Sequence, residues 1–253
     1  MVKVSEIRQS YTQEKARSDL IAQAWLYYCL RPISFYITPL FIRLGFSANA
    51  FTIFGLIPLL IGMYYIFNGY VNSANYIVGA VLINIWYLFD TVDGNIARFN
   101  REESFKGKLL DWMVGMVFHT LLPVCLGMSL YLGGKDEFYL FMGSKYHSEV
   151  WIIIGISKLL SELLREITSL GSKYLLGIKS VDSHGHEKIN FLYVLPRAIL
   201  SFEIPLLLVA ALFGVIYLKA FLLYYTAYNI ITFGAIVYLS LKKAVILDRK
   251  LIK

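Results

Sequence analysis

The 253-residue chain is 58% hydrophobic, 16% aromatic and only 16% charged, with a formal net charge of +7. A mean hydropathy of +0.61 lies well beyond that of a water-soluble domain, so the sequence reads as an all-α integral membrane protein. The positive charge is scattered through short segments between apolar runs, which points to anionic lipid headgroups as its partner and away from nucleic acid. The two cysteines, Cys29 and Cys125, sit in apolar surroundings at unrelated spacing and indicate neither a disulfide framework nor a zinc site.

In chain order, the polar N-terminus through Asp19 lacks the short apolar core and small-residue cleavage site of a removable signal peptide. Residues 1–45 are expected to form a cytoplasmic and interfacial segment. Within it, Asp19 to Arg43 carries Leu20, Ile21, Trp25, Leu26, Tyr27 and Leu30, and is predicted to be an amphipathic interfacial helix broken by Pro32 and Pro39. Six stretches then reach the roughly 20 mainly apolar residues that a transmembrane helix requires. They are 50–69, 74–97, 107–132, 150–170, 196–217 and 220–241, which gives one membrane domain over 1–253 with a six-helix bundle from about 50 to 241. Lysine and arginine concentrate before the first span, between the second and third, between the fourth and fifth, and after the sixth, so both termini are expected in the cytoplasm. The apolar helices also suggest a homodimer.

The costliest residues lie at the expected cytoplasmic ends of the second and third spans. Asp90 and Asp93 are three apart and Gly94 and Ala97 continue their side, so one helix face presents two carboxylates beside a surface with almost no side-chain bulk. Gly107 and Asp111 repeat the arrangement on the next helix. Packed as a hairpin, the two helices would converge three like charges, which repel unless a cation lies among them. Oxygen-only ligands suit Mg²⁺ or Mn²⁺, and such ions commonly orient a phosphate or pyrophosphate. Acidic groups within a membrane chain are evidence of function by default.

Asp90-x-x-Asp93-Gly94-x-x-Ala97-Arg98, eight further residues and then Gly107-x-x-x-Asp111 resembles the signature of the CDP-alcohol phosphotransferase family. Ser47 to Thr52 resembles that family's Pro-Asn-x-x-Thr opening of the first span, with Ala48 in place of proline and Asn49 and Thr52 retained. Arg31, Pro32, Ile33 and Ser34 are similar to a segment of members that handle inositol phosphate or related head groups. The resemblance implies six transmembrane helices and transfer of a substituted phosphate from a CDP-linked donor to an alcohol, with release of CMP. It further implies that Asp90, Asp93 and Asp111 ligate the divalent metal and, through it, the donor pyrophosphate. Gly94, Ala97 and Gly107 would leave room for the nucleotide, and Arg98 would lie near phosphate or in a helix-terminal ion pair.

One position departs from the signature. The family's fourth aspartate, which helps hold metal and is the favoured general base, is Gly115 here. A substitute base on another helix, an acceptor that is already anionic, or loss of catalysis would each accommodate the glycine. His119, two turns beyond Asp111 on the same face, is the candidate base, and Glu203 near Pro205 is a candidate replacement carboxylate. A phosphorylated acceptor would need a basic pocket more than a base. On the fourth span Lys158, Glu162, Arg165 and Glu166 form a polar stripe, read either as an acceptor-binding wall or as an internally paired structural element. Lys173, Lys179, Lys188 and Arg197 follow as groups for acceptor phosphate or anionic lipid, and His184 and His186 read as part of a solvated loop. The expected protein is therefore a metal-dependent transferase of phospholipid or related phosphodiester synthesis. Its donor is CDP-diacylglycerol or a CDP-alcohol, and the alternative is a silent nucleotide-binding membrane partner.

Overall fold

A computed structural model of the chain describes residues 2–134, 138–140, 144–146, 148–176 and 203–251, and these are predominantly helical. Among the described residues four helices are long and apolar enough to cross a membrane: Ala48–Tyr70, Ala74–Asn100, Phe105–Gly133 and Val215–Val245. The first, second, third and sixth expected spans fall on them. The fourth falls on a 27-residue helix, Val150–Leu176, whose Lys158, Glu162, Arg165 and Glu166 set it apart from the apolar four. The expected fifth span starts outside the described residues, and its predicted end at 217 is corrected: the helix Glu203–Phe213 stops at Gly214. The φ of +105° at Gly214 lies in a region that L side chains rarely enter, so glycine permits the break.

The chain divides into two compact units, Met1–Phe118 with Ile189–Leu218, and His119–Lys188 with Lys219–Lys253. The first begins with α1 (Val4–Gln9), α2 (Gln13–Ala22), a π-helical turn Leu26–Leu30 and α3 (Arg31–Arg43). The expected single helix broken at its prolines is corrected. The break comes at Gln23, whose φ and ψ of −146° and 63° are not helical, while Pro32 lies in the first turn of α3 and Pro39 inside it. Pro32, which has no amide proton to donate, directly follows the π-helical turn, where the hydrogen-bond register already departs from the α-helical one. α3 is inverted relative to a helix of a soluble protein. It buries Arg31, Ser34 and Thr38 and exposes Ile33, Tyr36 and Leu40, the arrangement a helix needs when its outer surroundings are lipid and its polar groups find partners inside.

α4 (Ala48–Phe67) and α5 (Ala74–Asn100) follow, joined by a 3₁₀ turn at Asn68–Tyr70, and α6 (Phe105–Gly133) begins after a short connection. α4 and α5 meet at glycines: a Cβ on Gly79 would stand 2.8 Å from the Gly62 carbonyl oxygen and 2.9 Å from the Ile66 nitrogen. Without a hydrophobic driving force in lipid, such close backbone contact is a main source of helix cohesion. Toward the opposite ends of the same helices, Ala48, Phe51, Val92 and Ile96 form a buried core ringed by Phe41, Phe46, Phe54 and Phe89. Phe54 and Phe89 stack with centroids 5.7 Å apart, and each such aromatic pair adds about 0.5–1.5 kcal/mol.

The second unit contains a short antiparallel hairpin, β1 (Phe138–Leu140) with β2 (Ser144–Tyr146). Its helices include α7 (Val150–Leu176), and α9 (Val215–Leu251) follows α8 (Glu203–Phe213) of the first unit. Gly127 on α6 lets α7 approach closely, since a Cβ there would lie 2.6 Å from the Trp151 carbonyl oxygen.

Candidate active site

The three aspartates converge. Asp90 and Asp93 on α5 and Asp111 on α6 each offer a carboxylate oxygen, and these oxygens all lie within 4.8 Å of one another. Asp93 is buried, Asp90 half-buried and Asp111 exposed, so the cluster grades from the protein interior to its surface. Among the described residues none of the three forms an ion pair with lysine or arginine. A divalent ion bound at about 2.1 Å brings its ligand oxygens to roughly 3–4 Å from one another, so the donor set fits Mg²⁺ or Mn²⁺ with small adjustments.

α4 orients the deepest acid. The Thr52 hydroxyl donates to Asp93 Oδ2 at 2.7 Å and also lies 3.1 Å from the Ala48 carbonyl oxygen. A hydroxyl has one proton, and the shorter, charge-assisted partner is the stronger. Asn49, at the start of the same helix, reaches Gly107: a Cβ on that glycine would be 3.0 Å from Asn49 Oδ1. The α5–α6 connection closes the arrangement. Arg101 takes a left-handed φ of 57°, the Glu102 amide returns to the Ala97 carbonyl at 2.8 Å, and Glu102 Oε2 accepts from the Ala48 amide at 3.4 Å. Ser104 then accepts from the Gly107 amide at 3.1 Å, capping the first turn of α6.

Gly94 and Gly115 differ in what surrounds them. A Cβ on Gly94 would meet the Arg98 guanidinium, with Nη1 at 3.3 Å, so the arginine lies along the small-residue face. Ala97 packs against the aromatic core. Among the described residues nothing lies within 4 Å of a Cβ on Gly115, and they leave the space for an aspartate side chain open.

The family model for CDP-alcohol phosphatidyltransferase matches residues 46–235, from just ahead of α4 into α9. The chain belongs to this family. None of the curated proteins compared with it matches in sequence. Membership suggests a transferase of phospholipid synthesis that passes a phosphoryl group from a CDP-alcohol to an acceptor, and the family is typically dependent on divalent metal.

Apart from Glu203, the remaining residues expected at the site lie in the second unit or outside the described residues. His119 Nδ1 is 2.9 Å from the Tyr225 hydroxyl. Lys158, wholly buried, donates to Glu162 Oε2 at 2.6 Å and stands 4.1 Å from the centroid of the Tyr225 ring. Glu162 also accepts from Arg165 and Asn229, and Arg165 pairs with Glu166 at 2.7 Å. The polar stripe is thus internally paired. Glu203 opens α8 and is buried in the first unit. Lys179, His184, His186, Lys188 and Arg197 lie outside the described residues, as does the side chain of Lys173.

Sequence reasoning missed a second buried network on α5. Arg31 Nη2 donates to Asp19 Oδ2 at 2.6 Å and Nη1 to Asn95 Oδ1 at 3.1 Å, and Arg98 Nη2 reaches the same Asn95 oxygen at 2.8 Å. Asn95 Nδ2 donates to Ser34 Oγ at 2.9 Å and Thr38 Oγ1 at 3.1 Å. The available signal was Asn95 itself, a polar residue within an apolar span and directly after Gly94. Burial alone would raise the Asp19 pKa, but Arg31 and Lys15 outweigh it and hold the carboxyl below its usual range.

Proposed function

We propose that this member of the CDP-alcohol phosphatidyltransferase family binds a CDP-linked donor at the carboxylate face with Mg²⁺ or Mn²⁺. It transfers the donor's substituted phosphate to an alcohol or phosphorylated acceptor and releases CMP. The observation that carries this reading is the convergence of Asp90, Asp93 and Asp111 within 4.8 Å on the two helices that bear the signature. These three aspartates hold the ion, which when bound neutralises pyrophosphate charge and orients it. Thr52 keeps the Asp93 carboxylate turned to the site, and Asn49 fixes the start of α4 against Gly107. Arg98, lying beside Gly94, contacts donor phosphate, while Gly94, Ala97 and Gly107 keep bulky side chains away from the nucleotide. The acceptor oxygen bonds to the phosphorus that carries the donor's alcohol, the bridging P–O bond to the CMP phosphate breaks, and CMP leaves with the bridging oxygen.

The proton of a neutral acceptor needs a base, and His119 is the candidate. The open space at Gly115 favours an acceptor whose attacking oxygen is already anionic, because no carboxylate occupies that position to take a proton. In the second unit Arg165 and Lys173, with Lys158 behind Glu162, are the basic groups assigned to such an acceptor. The distribution of lysine and arginine assigns the site and both termini to the cytoplasm, in a single membrane domain that pairs as a homodimer. Purified protein supplied with Mg²⁺ or Mn²⁺, a panel of CDP-alcohols and CDP-diacylglycerol, and a panel of lipid and sugar-phosphate acceptors should release CMP. Asp93→Asn should lower that release by more than about 100-fold, since even residues that merely orient a metal ligand cost 10–100-fold. The same glycine supports a second reading, a silent nucleotide-binding partner. CDP-dependent thermal stabilisation without turnover on any donor would select it.

A further inference from the structure

The network around Arg31 joins the N-terminal segment to the small-residue face of α5. It holds three cations, Lys15, Arg31 and Arg98, against one carboxylate, Asp19. Lys15 and Arg31 both pair with that carboxylate, at 2.9 and 2.6 Å, and Arg98 pairs with neither it nor any other acid among the described residues. Instead the Arg98 guanidinium shares one neutral oxygen, Asn95 Oδ1, with Arg31. Two guanidinium groups on one amide oxygen repel each other, and burial strengthens that repulsion. The Tyr11 ring lies 5.0 Å from Arg31 Cζ and 5.8 Å from Arg98 Cζ, and its hydroxyl donates to Asp19 Oδ2 at 2.9 Å, so the aromatic face offsets part of the cost.

The direction of the amide is fixed. Asn95 Nδ2 donates to Ser34 and Thr38, whose hydroxyl protons go to the Arg31 and Ser34 carbonyl oxygens at 2.8 and 2.7 Å. Both hydroxyls therefore act as acceptors toward Asn95, and its Oδ1 must face the two arginines. A surface arginine serving as a membrane anchor would extend toward water and headgroups. Arg98 is instead folded back along α5, with Nη1 over Gly94, one residue from Asp93.

We propose that Asp19, Arg31 and Asn95 are positioning residues that aim the Arg98 guanidinium at the donor's phosphates, so that the N-terminal segment is a working part of the donor site. The inference rests on the reading of Arg98 as a phosphate contact. Glu103 and Asp93 attract Arg98 from beyond ion-pair range, and the diphosphate of a nucleotide held by the neighbouring aspartates supplies an anionic group in direct contact with it. Arg31 and Asp19 do not touch the donor; they act through Asn95.

Equilibrium binding of CDP to the full-length protein in Mg²⁺, with cytidine as the phosphate-free competitor, tests the relay. Asn95→Ala should weaken CDP about tenfold, the scale of a lost hydrogen bond to a charged group, and leave cytidine competition unchanged. In an Arg98→Ala background the same change should have no further effect on CDP. Asp19→Asn combined with Arg31→Gln, which removes both charges and leaves a polar side chain at each position, should reproduce the selective loss and serves if Asn95→Ala folds poorly. Equal weakening of CDP and cytidine, or an undiminished Asn95→Ala effect without Arg98, would overturn the relay while leaving the donor site standing. Failure of the unaltered protein to bind CDP at all would overturn the donor reading and the relay with it.

Discussion

The two units each bury ionisable side chains, and they balance them in opposite ways. In the second unit Lys158 and Arg165 converge on Glu162, Arg165 also meets Glu166, and Asn229 supplies a further donor, so cations and carboxylates are matched within one cluster. In the first unit the three aspartates face one another within 4.8 Å with no lysine or arginine in ion-pair range among the described residues, while Arg98 rests on a neutral amide. A matched cluster is complete as it stands, and its contribution lies in fixing which helix faces meet. Separated charges of both signs require something from outside. In the proposed function a metal ion and an anionic phosphate together would satisfy both halves.

The sharpest way to break this contrast is to unbalance the matched cluster. Glu162→Gln leaves Lys158 and Arg165 without their shared carboxylate and should destabilise the protein by about 3–5 kcal/mol, read as a fall in melting temperature in detergent. Replacing Lys158 by Met together with Glu162 by Leu should recover most of that stability, because a buried pair exchanged for apolar residues is often neutral. If the double replacement is stable yet raises the acceptor KM, the stripe is an acceptor wall as well as a brace. Next in size, Thr52→Val removes the hydroxyl on Asp93 without changing the helix. Half-maximal activity should then need about 10–100-fold more Mg²⁺, with the melting temperature nearly unchanged. An unaltered metal requirement would mean that Asp93 is oriented by something else.

The smallest effect is one of pH. Asp19 has a folded pKa below its unfolded value, so its contribution to stability is fully present above the unfolded carboxylate pKa of about 4 and is lost as pH falls through the folded one. Stability should therefore show no change from this group between neutrality and about pH 5. Asp19→Asn should remove its part of the acid-side decline, as measured by thermal unfolding across pH. A loss tied to Asp19 near neutrality would mean that its pairing with Arg31 is not the dominant influence.

The sequence made the carboxylate face legible because its chemistry is local. Asp90, Asp93 and Gly94 share a face by helical spacing, and Asp111 required only the additional assumption of a hairpin. The Arg31 network was invisible for the contrary reason: Arg31 and Asn95 are 64 positions apart, and no period relates them. The prolines of α3 misled because Pro32 was read as a break although it follows a π-helical turn whose altered hydrogen-bond register precedes it. The stripe on α7 and its internal pairing were visible as spacing, whereas the Asn229 amide on Glu162 and the Tyr225 ring beside Lys158 come from α9 and only the packed unit reveals them.

The glycine crossing of α4 and α5 has a mechanical meaning for the site. Thr52 is ten residues from Gly62 and Asp93 fourteen from Gly79, roughly 15 and 21 Å of helix. The pair Gly62 and Gly79 is therefore a fulcrum, and the hydroxyl-to-carboxylate contact lies at the far end of both arms. A methyl group at either glycine would be amplified along those arms into a displacement at the metal ligands. The alignment of Thr52 with Asp93 is thus set by two residues with no side chain, remote from any reacting atom.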